Sequence, residues 1–388
     1  MERIDRNNKM NIIILGSNHH NALGLIRSLG EVGHTVYLLL LKSGFNYVNK
    51  SSYLKSWNLI ESYDEIILSV KRIVSECDTK PVMLVAGDEE ATFVNQHFDE
   101  LSEYCFVEGA YTNGDIAVYH DKFKSNDLAK RFGFKIPQTW MLCNNEGIPT
   151  DLRYPVLVKA GDSIRGGKGV LKKCSSESEL IHVLEHFPND VFPLQIQEYI
   201  QKEYEIIILG CSLNHGNIVL CPIAERKLRY YPQEYRTTAY TESIFIENDQ
   251  SLMRIVQLIS SMMKSIGYTG LFSVELLFAN NQYYFLETNF RNDGTGYLAT
   301  TCGFNLPNFL CEFFAGCQVD LDKCIYKPCH YVNVIEDFKN VVRGNISILK
   351  WIKQLSNAKC YSHYSNKDKL PLLYAFGGLL LSKIRKLK

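Results

Sequence analysis

Several familiar signals are missing from this 388-residue sequence, and each absence removes a class of protein. None of its twelve cysteines falls in a CxxC pair or a regular spacing, so they read as reduced core and surface thiols, not as a disulfide framework. The first ten residues, MERIDRNNKM, are polar and have no apolar h-region; they read as a loose lead-in, not a secretory signal. No apolar run reaches the roughly 20 residues of a membrane span. Charge of either sign is not in excess: Lys+Arg and Asp+Glu number 42 each. That balance gives no bulk attraction to nucleic acid or to an anionic membrane. The expectation is a cytoplasmic protein with no nucleic-acid partner and no stable membrane insertion.

Two nucleotide-binding fingerprints are also missing. Gly16, Gly24, Gly30 and Gly33 do not fit the G-x-G-x-x-G dinucleotide pattern. The glycine-rich run Gly161–Gly169 (GDSIRGGKG) fails the P-loop pattern, because Lys168 is followed by glycine and not by Ser or Thr. No Ser/His/Asp arrangement or cysteine nucleophile suggests itself.

What is present is enough apolar residue, 46%, to build large cores, over a length that implies more than one domain or subdomain. Asn11–Leu15 (NIIIL), a helical pattern over Ala22–Glu31 and the strand Thr35–Leu41 make a βαβ opening. The alternation continues with a helix near Ser62–Cys77, the strand Pro81–Ala86, and a helix to His97 that Asp88 is expected to cap. His19 and His20 fall on the first βα loop, where open α/β sheets bind ligands, although a structural or solvent-facing role is favoured. Asp88, Glu89 and Glu90 read as a cap with first-turn acids suited to the helix dipole; substrate contact is the less favoured reading.

After a helix in 119–133 the apolar strand Tyr154–Ala160 ends in Lys159 and leads into Gly161–Gly169. With the strand Val170–Lys173 after it, this loop reads as a hairpin lid whose backbone N–H groups and lysines can cover a polyphosphate. Further on come a helix over Ser178–His186 and the strands Leu194–Ile200 and Tyr204–Gly210, with Glu198 and Glu205 flanking the short connection. Ala224–Glu242 is basic and aromatic, with Arg226, Lys227, Arg229 and Arg236, which suits an anionic small substrate. The 3.6-residue apolar stripe of Leu252–Ile266 is a core helix. In the tail, Ala375–Lys388 reads as a docked helix with a basic end; lying on a membrane or partner is the alternative.

The richest stretch is Phe272–Arg291, FSVELLFANNQYYFLETNFR, a β-hairpin turning at Asn280-Asn281. Glu287, Asn289 and Arg291 share a face by the two-residue period of a strand. Glu275 joins them only if it lies opposite Glu287, which in a regular ladder requires an odd-numbered loop such as Asn280–Gln282. That register is the expected one, because it assembles an all-oxygen site suited to Mg²⁺.

HDK at 120–122, YPVLVKA, the GGKG loop, QEYI at 197–200 and ETNFR at 287–291, in this order, resemble the ATP-grasp superfamily. Within it, the resemblance is to carboxylate–amine ligases of the D-aspartate-ligase and D-alanine–D-alanine-ligase kind. It runs from Asn11 to about Gln318. It implies an α/β fold class, with α+β elements in the ATP-grasp module: a Rossmann-like pre-ATP-grasp domain, then a two-lobed ATP-grasp fold. The implied divisions are a lead-in at 1–10, the first domain at 11–117, a small lobe with the lid at 118–200, a C-terminal lobe with the metal site at 201–322, and a mostly helical extension at 323–388.

The same resemblance implies residue roles. Lys122 and Lys159 contact ATP phosphates, under a loop containing Ser163, Gly166, Gly167, Lys168 and Gly169. Glu198, Tyr199 and Ile200 meet the adenine, and Glu205 the ribose. Glu275, Glu287 and Asn289 ligate two Mg²⁺ ions, with Mn²⁺ as a substitute. Arg291 stabilises the transferring phosphoryl group, assisted by Lys168, with Arg226 and Lys227 near the phosphates or the acceptor. The implied reaction joins a carboxylate donor to an amine acceptor through an acyl phosphate, in a possible homodimer. The alternatives are an ATP-grasp phosphotransferase or carboxylase-like enzyme and, less favoured, an inactive nucleotide-binding scaffold.

Overall fold

The isoleucine-rich β1 (Asn11–Gly16) is almost wholly buried, as a central parallel strand covered on both faces should be. It belongs to a computed structural model that describes residues 9–42, 46–111, 115–144, 146–161, 171–188, 191–232 and 237–386. After β1 come α1 (His20–Gly30), β2 (Thr35–Leu41), β3 (Leu54–Ile60), α2 (Asp64–Val74), β4 (Val82–Val85), α3 (Asp88–Gln96), α4 (Phe98–Tyr104) and β5 (Phe106–Val107). All neighbouring strands are parallel, in the order β3-β2-β1-β4-β5. The chain winds outward from β1 in one direction and then from β4 in the other. The loops after β1 and β4 therefore flank the switch point, where such sheets open a crevice for ligands. This is the Rossmann-like first domain expected from the sequence.

The second sheet is antiparallel. It follows α5 (Asp115–Val118) and α6 (Lys122–Arg131), whose N-cap Asp121 accepts from the backbone N–H groups of Phe123 and Lys124. Its strands are β6 (Thr139–Leu142), β7 (Val156–Ala160), β8 (Lys172–Cys174) and β9 (Leu194–Glu198), in the order β6-β9-β7-β8, with α7 (Glu177–Glu185) between β8 and β9.

The third and largest sheet contains β10 (Tyr204–Leu213), β11 (Ile218–Tyr231), β12 (Thr237–Phe245), β13 (Gly270–Ala279) and β14 (Gln282–Asn289). The core helix α8 (Gln250–Ile266) connects β12 to β13, capped by Asp249 and ended by Gly267 in the left-handed region, φ 64°. Beyond β14 lie α9 (Tyr297–Thr301), α10 (Leu306–Phe314), β15 (His330–Val332), α11 (Val334–Val342), α12 (Ile348–Asn357), β16 (Cys360–Tyr361) and α13 (Leu370–Lys386). The order is β14-β13-β10-β11-β12-β15-β16. Residues 323–386 are mostly helical and also add two strands to the edge of the large sheet. One apolar core runs from Ile12 and Leu38 through Leu209 and Ile223 to Cys360, tying the first domain, the large sheet and the C-terminal segment together. Among the described residues no helix is long and apolar enough to cross a membrane.

The β13–β14 hairpin departs from its expected loop. Ala279 pairs with Gln282, so the turn has two residues, not three. Asn280 and Asn281 have φ of 51° and 56°, both in the left-handed region that a type I′ turn demands and asparagine tolerates. In a regular ladder this turn would put Glu275 and Glu287 on opposite faces. A β-bulge restores them: Leu276 pairs with Phe285 but Glu275 pairs with Glu287, leaving Leu286 as the extra residue. The two glutamates are opposite one another by an even loop plus one bulge. Because glycine fits the second position of this turn without a Cβ penalty, Asn281→Gly should raise stability by about 0.5 kcal/mol, read as a shift in the urea midpoint.

Candidate active site

The three sheets converge on a cavity of about 660 Å³, a size typical of cofactor and substrate sites. The bulge sets its floor. Glu275 and Glu287 face it from adjacent strands, and Asn289 follows one period further along β14. Asn289 donates to Ser273 at 3.3 Å, and its side-chain oxygen accepts from Arg291 at 3.1 Å. Arg291 itself is held by Asp88 at 2.9 Å and lies 3.8 Å from Asp293. Those two acids raise the guanidinium's pKa despite burial, which opposes them. In turn Arg291 outweighs the effect of burial on Asp88 and Asp293 and lowers both.

Asp88 therefore has a different role from the one its sequence suggests. The N-cap of α3 is Gly87; Asp88 is the first helical residue, and its carboxylate reaches across to β14's end. The start of α3 thereby ties the switch point of the first domain to the end of β14 in the third sheet. His19 caps α1 by accepting from the backbone N–H of Asn21, while both His19 and His20 line the cavity.

Cations gather beside this floor. Lys122 opens α6 and lies 3.7 Å from Glu287. Lys159, near the end of β7, is partly buried and donates to Gln197 at 3.2 Å. Burial pushes its ammonium down to about 8, and the nearby charge of Lys122 pushes the same way. Lys227 of β11 bridges two acids, Glu205 in a short contact and Glu275 at 3.2 Å. Lys202 adds a second contact to Glu205 at 2.9 Å. Burial alone would raise the Glu205 carboxyl, but the two ammonium groups outweigh it and lower it. Glu275 goes the other way. Burial dominates there, helped by Glu287, and its carboxyl is raised.

Lys122, Lys159, Glu198, Tyr199, Ile200, Glu205, Lys227, Glu275, Glu287, Asn289 and Arg291 thus all line one cavity. Arg226 does not. It alternates with Lys227 on β11, so its side chain projects from the other face of the sheet, where it pairs with Glu242 and lies over the Tyr204 ring. Ser163, Gly166, Gly167, Lys168 and Gly169 lie outside the described residues. Several cavity groups escaped the sequence reading, Lys202, Asp293, Thr237 and Tyr331 among them. Lys202 carries no motif. Asp293 extends the alternation of Asn289 and Arg291 by two more residues, a usable signal. Thr237 and Tyr331 come from β12 and β15, whose place beside β11 only the sheet order reveals.

The donor set decides what the floor can hold. Glu275, Glu287 and Asn289 offer only hard oxygen ligands, and the repulsion between Glu275 and Glu287 is of the kind a cation between them would relieve. The first property suits Mg²⁺ and not a soft transition metal.

In sequence, residues 127–309 match the family model of the ATP-grasp domain. A stretch of 145 residues, 36% of the chain, is 27% identical to acetyl-CoA carboxylase of Dictyostelium discoideum; the match spans 6% of that protein. The fold is similar to that of N5-carboxyaminoimidazole synthetase from Staphylococcus aureus complexed with ADP, with a TM-score of 0.64, 15% identity and 88% of each chain covered. It is also similar to L-amino acid ligase from Bacillus licheniformis, with a TM-score of 0.61 and 13% identity over 79% of this chain and 73% of that one. The ATP-grasp match thus covers residues 127–309, and the fold as a whole is similar to that of the synthetase and the ligase.

Proposed function

We propose that this protein is an ATP-dependent ligase that joins a carboxylate to an amine through an acyl phosphate. The observation that supports it is the meeting, in one cavity, of two lysines, one doubly anchored arginine and an all-oxygen cluster, at the switch point of a Rossmann-like domain. A carboxylate does not condense with an amine in water, because oxide is a poor leaving group. Attack of the carboxylate oxygen on the γ-phosphorus of ATP releases ADP and leaves a mixed anhydride. The amine nitrogen then attacks the acyl carbon, phosphate departs, and the amine gives up its proton.

These steps require positioning and charge neutralisation more than a protein nucleophile. Lys122 and Lys159 hold phosphate oxygens. Arg291, fixed by Asp88 and Asp293, presents its guanidinium to the transferring phosphoryl group without reorganising. Glu275, Glu287 and Asn289 would hold Mg²⁺, which supplies positive charge to the phosphates. Glu198, Tyr199 and Ile200 form the adenine end of the pocket. The Glu205 carboxylate, oriented by Lys202 and Lys227, would accept from the ribose hydroxyls.

A second reading, carboxylation through phosphorylated bicarbonate, is favoured by the stretch similar to acetyl-CoA carboxylase. One assay separates the two. ADP release is measured with amino acids as acceptors, with carboxylates or bicarbonate as donors, and products are weighed by mass spectrometry. An amide product supports ligation, a bicarbonate-dependent carboxylated product supports the second reading, and ADP release that consumes no amine under any donor sinks the first.

Lys159 gives the site a pH dependence. Below about 8 its ammonium is charged and attracts phosphate; above that it is neutral in the free protein. Nucleotide binding then has to take up a proton, so affinity should fall as pH rises through about 8, at most about tenfold per pH unit. Binding of a fluorescent ATP analogue across pH 7 to about 9.5 checks this, with Lys159→Arg, which stays protonated, expected to flatten the profile.

A further inference from the structure

We propose that the end of α7, remote in sequence from the floor residues, is a binding site for a transition-metal dication of the Zn²⁺ class, formed by His182, Glu185 and His186. One ligand atom from each residue lies within 4.8 Å of the other two, close enough for a single ion to touch all three. The spacing explains this. Residues three and four apart share a helical face, so both Glu185 and His186 stand beside His182.

The two imidazoles already stand side by side. The two imidazole centroids are 4.5 Å apart. Nδ1 of His186 lies 2.7 Å from the backbone oxygen of His182. A carbonyl oxygen can only accept, so Nδ1 carries the proton and Nε2 keeps its lone pair. An outer hydrogen bond of this kind fixes tautomer and ring orientation in metal-ligating histidines. Two imidazole nitrogens and one carboxylate oxygen suit Zn²⁺ and leave a fourth position to water, whereas Mg²⁺ prefers an all-oxygen shell.

The helix holds the set in place. Ser176 caps α7 by accepting from the N–H of Glu179, whose carboxylate accepts in return from the N–H of Ser175 at 2.7 Å. Leu180 anchors α7 in the core of the small lobe, while the three ligands stay exposed and pay no burial cost on binding an ion. His186 is the C-cap, so the site also stands at the negative end of the helix dipole, which favours a cation.

The test uses the full chain, stripped with a chelator and titrated with Zn²⁺ against a chromophoric competitor, with excess Mg²⁺ present to occupy hard oxygen sites. One saturable equivalent is expected, weakened by at least about 100-fold in His182→Ala/His186→Ala. Both positions are exposed, and alanine is the best helix former, so the variant should keep its far-UV circular dichroism. X-ray absorption at one equivalent should show imidazole and oxygen neighbours at about 2.0–2.1 Å. No saturable binding, equal binding by the variant, or a sulfur shell from one of the twelve cysteines would each overturn the site.

Discussion

Glu287→Gln should leave a folded protein whose ATP turnover falls by at least about 100-fold to 1,000-fold, the scale on which single groups stabilising a transition state act. The two halves of this expectation have separate causes. Glu287 is about one-third exposed, and among the described residues its one ion pair is the 3.7 Å contact to Lys122. It also faces Glu275, whose carboxyl it helps to raise by repulsion. Removing its charge relieves that repulsion, so stability should hold or increase. The same change takes one anionic oxygen from the three-residue donor set. Stability gained where activity is lost marks a residue kept for function. Unchanged ATP turnover would remove the hairpin floor from the proposed site. Arg291→Ala is the less clean probe, because it strands Asp88 and Asp293 as well as emptying the phosphoryl end of the cavity.

Why Glu287 was legible from the sequence, and its register was not, is a matter of range. The alternation of Glu287, Asn289 and Arg291 is a local property of one strand, and it survives folding intact. Pairing Glu275 with Glu287 depends on the sum of turn length and bulge. The turn residues announce themselves, since two consecutive asparagines fit a type I′ turn. The extra Leu286 does not: nothing in FLET distinguishes a bulged leucine from a regular one. The expectation of an odd loop reached the right juxtaposition by the wrong route.

Arg226 and Lys227 show the converse. As members of a basic cluster they look equivalent, but one residue of strand separates them, and a strand divides neighbours between faces. Once β11 is known to lie between β10 and β12, Lys227 must meet Glu205 and Arg226 must meet Glu242. The partners of charged residues were equally hidden. Asp88 looked like a cap because acids at helix starts usually serve the dipole. Its bond to Arg291 spans 203 residues and has no local signature. Likewise, the helical pattern of the C-terminal segment was visible, but the strands β15 and β16, three and two residues long, were too short to announce a period.

The second large effect lies at that segment. Arg27→Ala should destabilise the protein by about 3–5 kcal/mol, the range for breaking a buried pair and leaving one charge behind. Arg27 is fully buried on α1 and pairs with Asp368 at 3.0 Å, also buried. Its remaining donors reach backbone oxygens of the same C-terminal stretch, His363 at 2.9 Å and Asp368 at 3.2 Å, with longer contacts to Tyr361, Ser362 and Tyr364. One guanidinium thus organises 361–368, and alanine would leave both a carboxylate and several carbonyls without it. Ser51 and the N–H of Ser52 would still donate to Asp368, but neither neutralises it. Arg27→Lys should not rescue, because an ammonium cannot reproduce a planar fork with five donors. The double variant Arg27→Ala/Asp368→Asn should lose less than the sum of the single changes, since the orphaned charge is gone. The effect should be regional, so hydrogen exchange is the informative measurement: protection should fall in 361–368 and α13 before it falls in the sheets. It should also reach the cavity. His363 lies 5.9 Å from His20 and 4.8 Å from Tyr47, ring centre to ring centre, so loosening this stretch removes the support behind a cavity-lining histidine. Arg27 touches none of the donor or phosphate-facing groups, and its loss should therefore weaken binding at the switch-point end while leaving Glu275 and Glu287 in register.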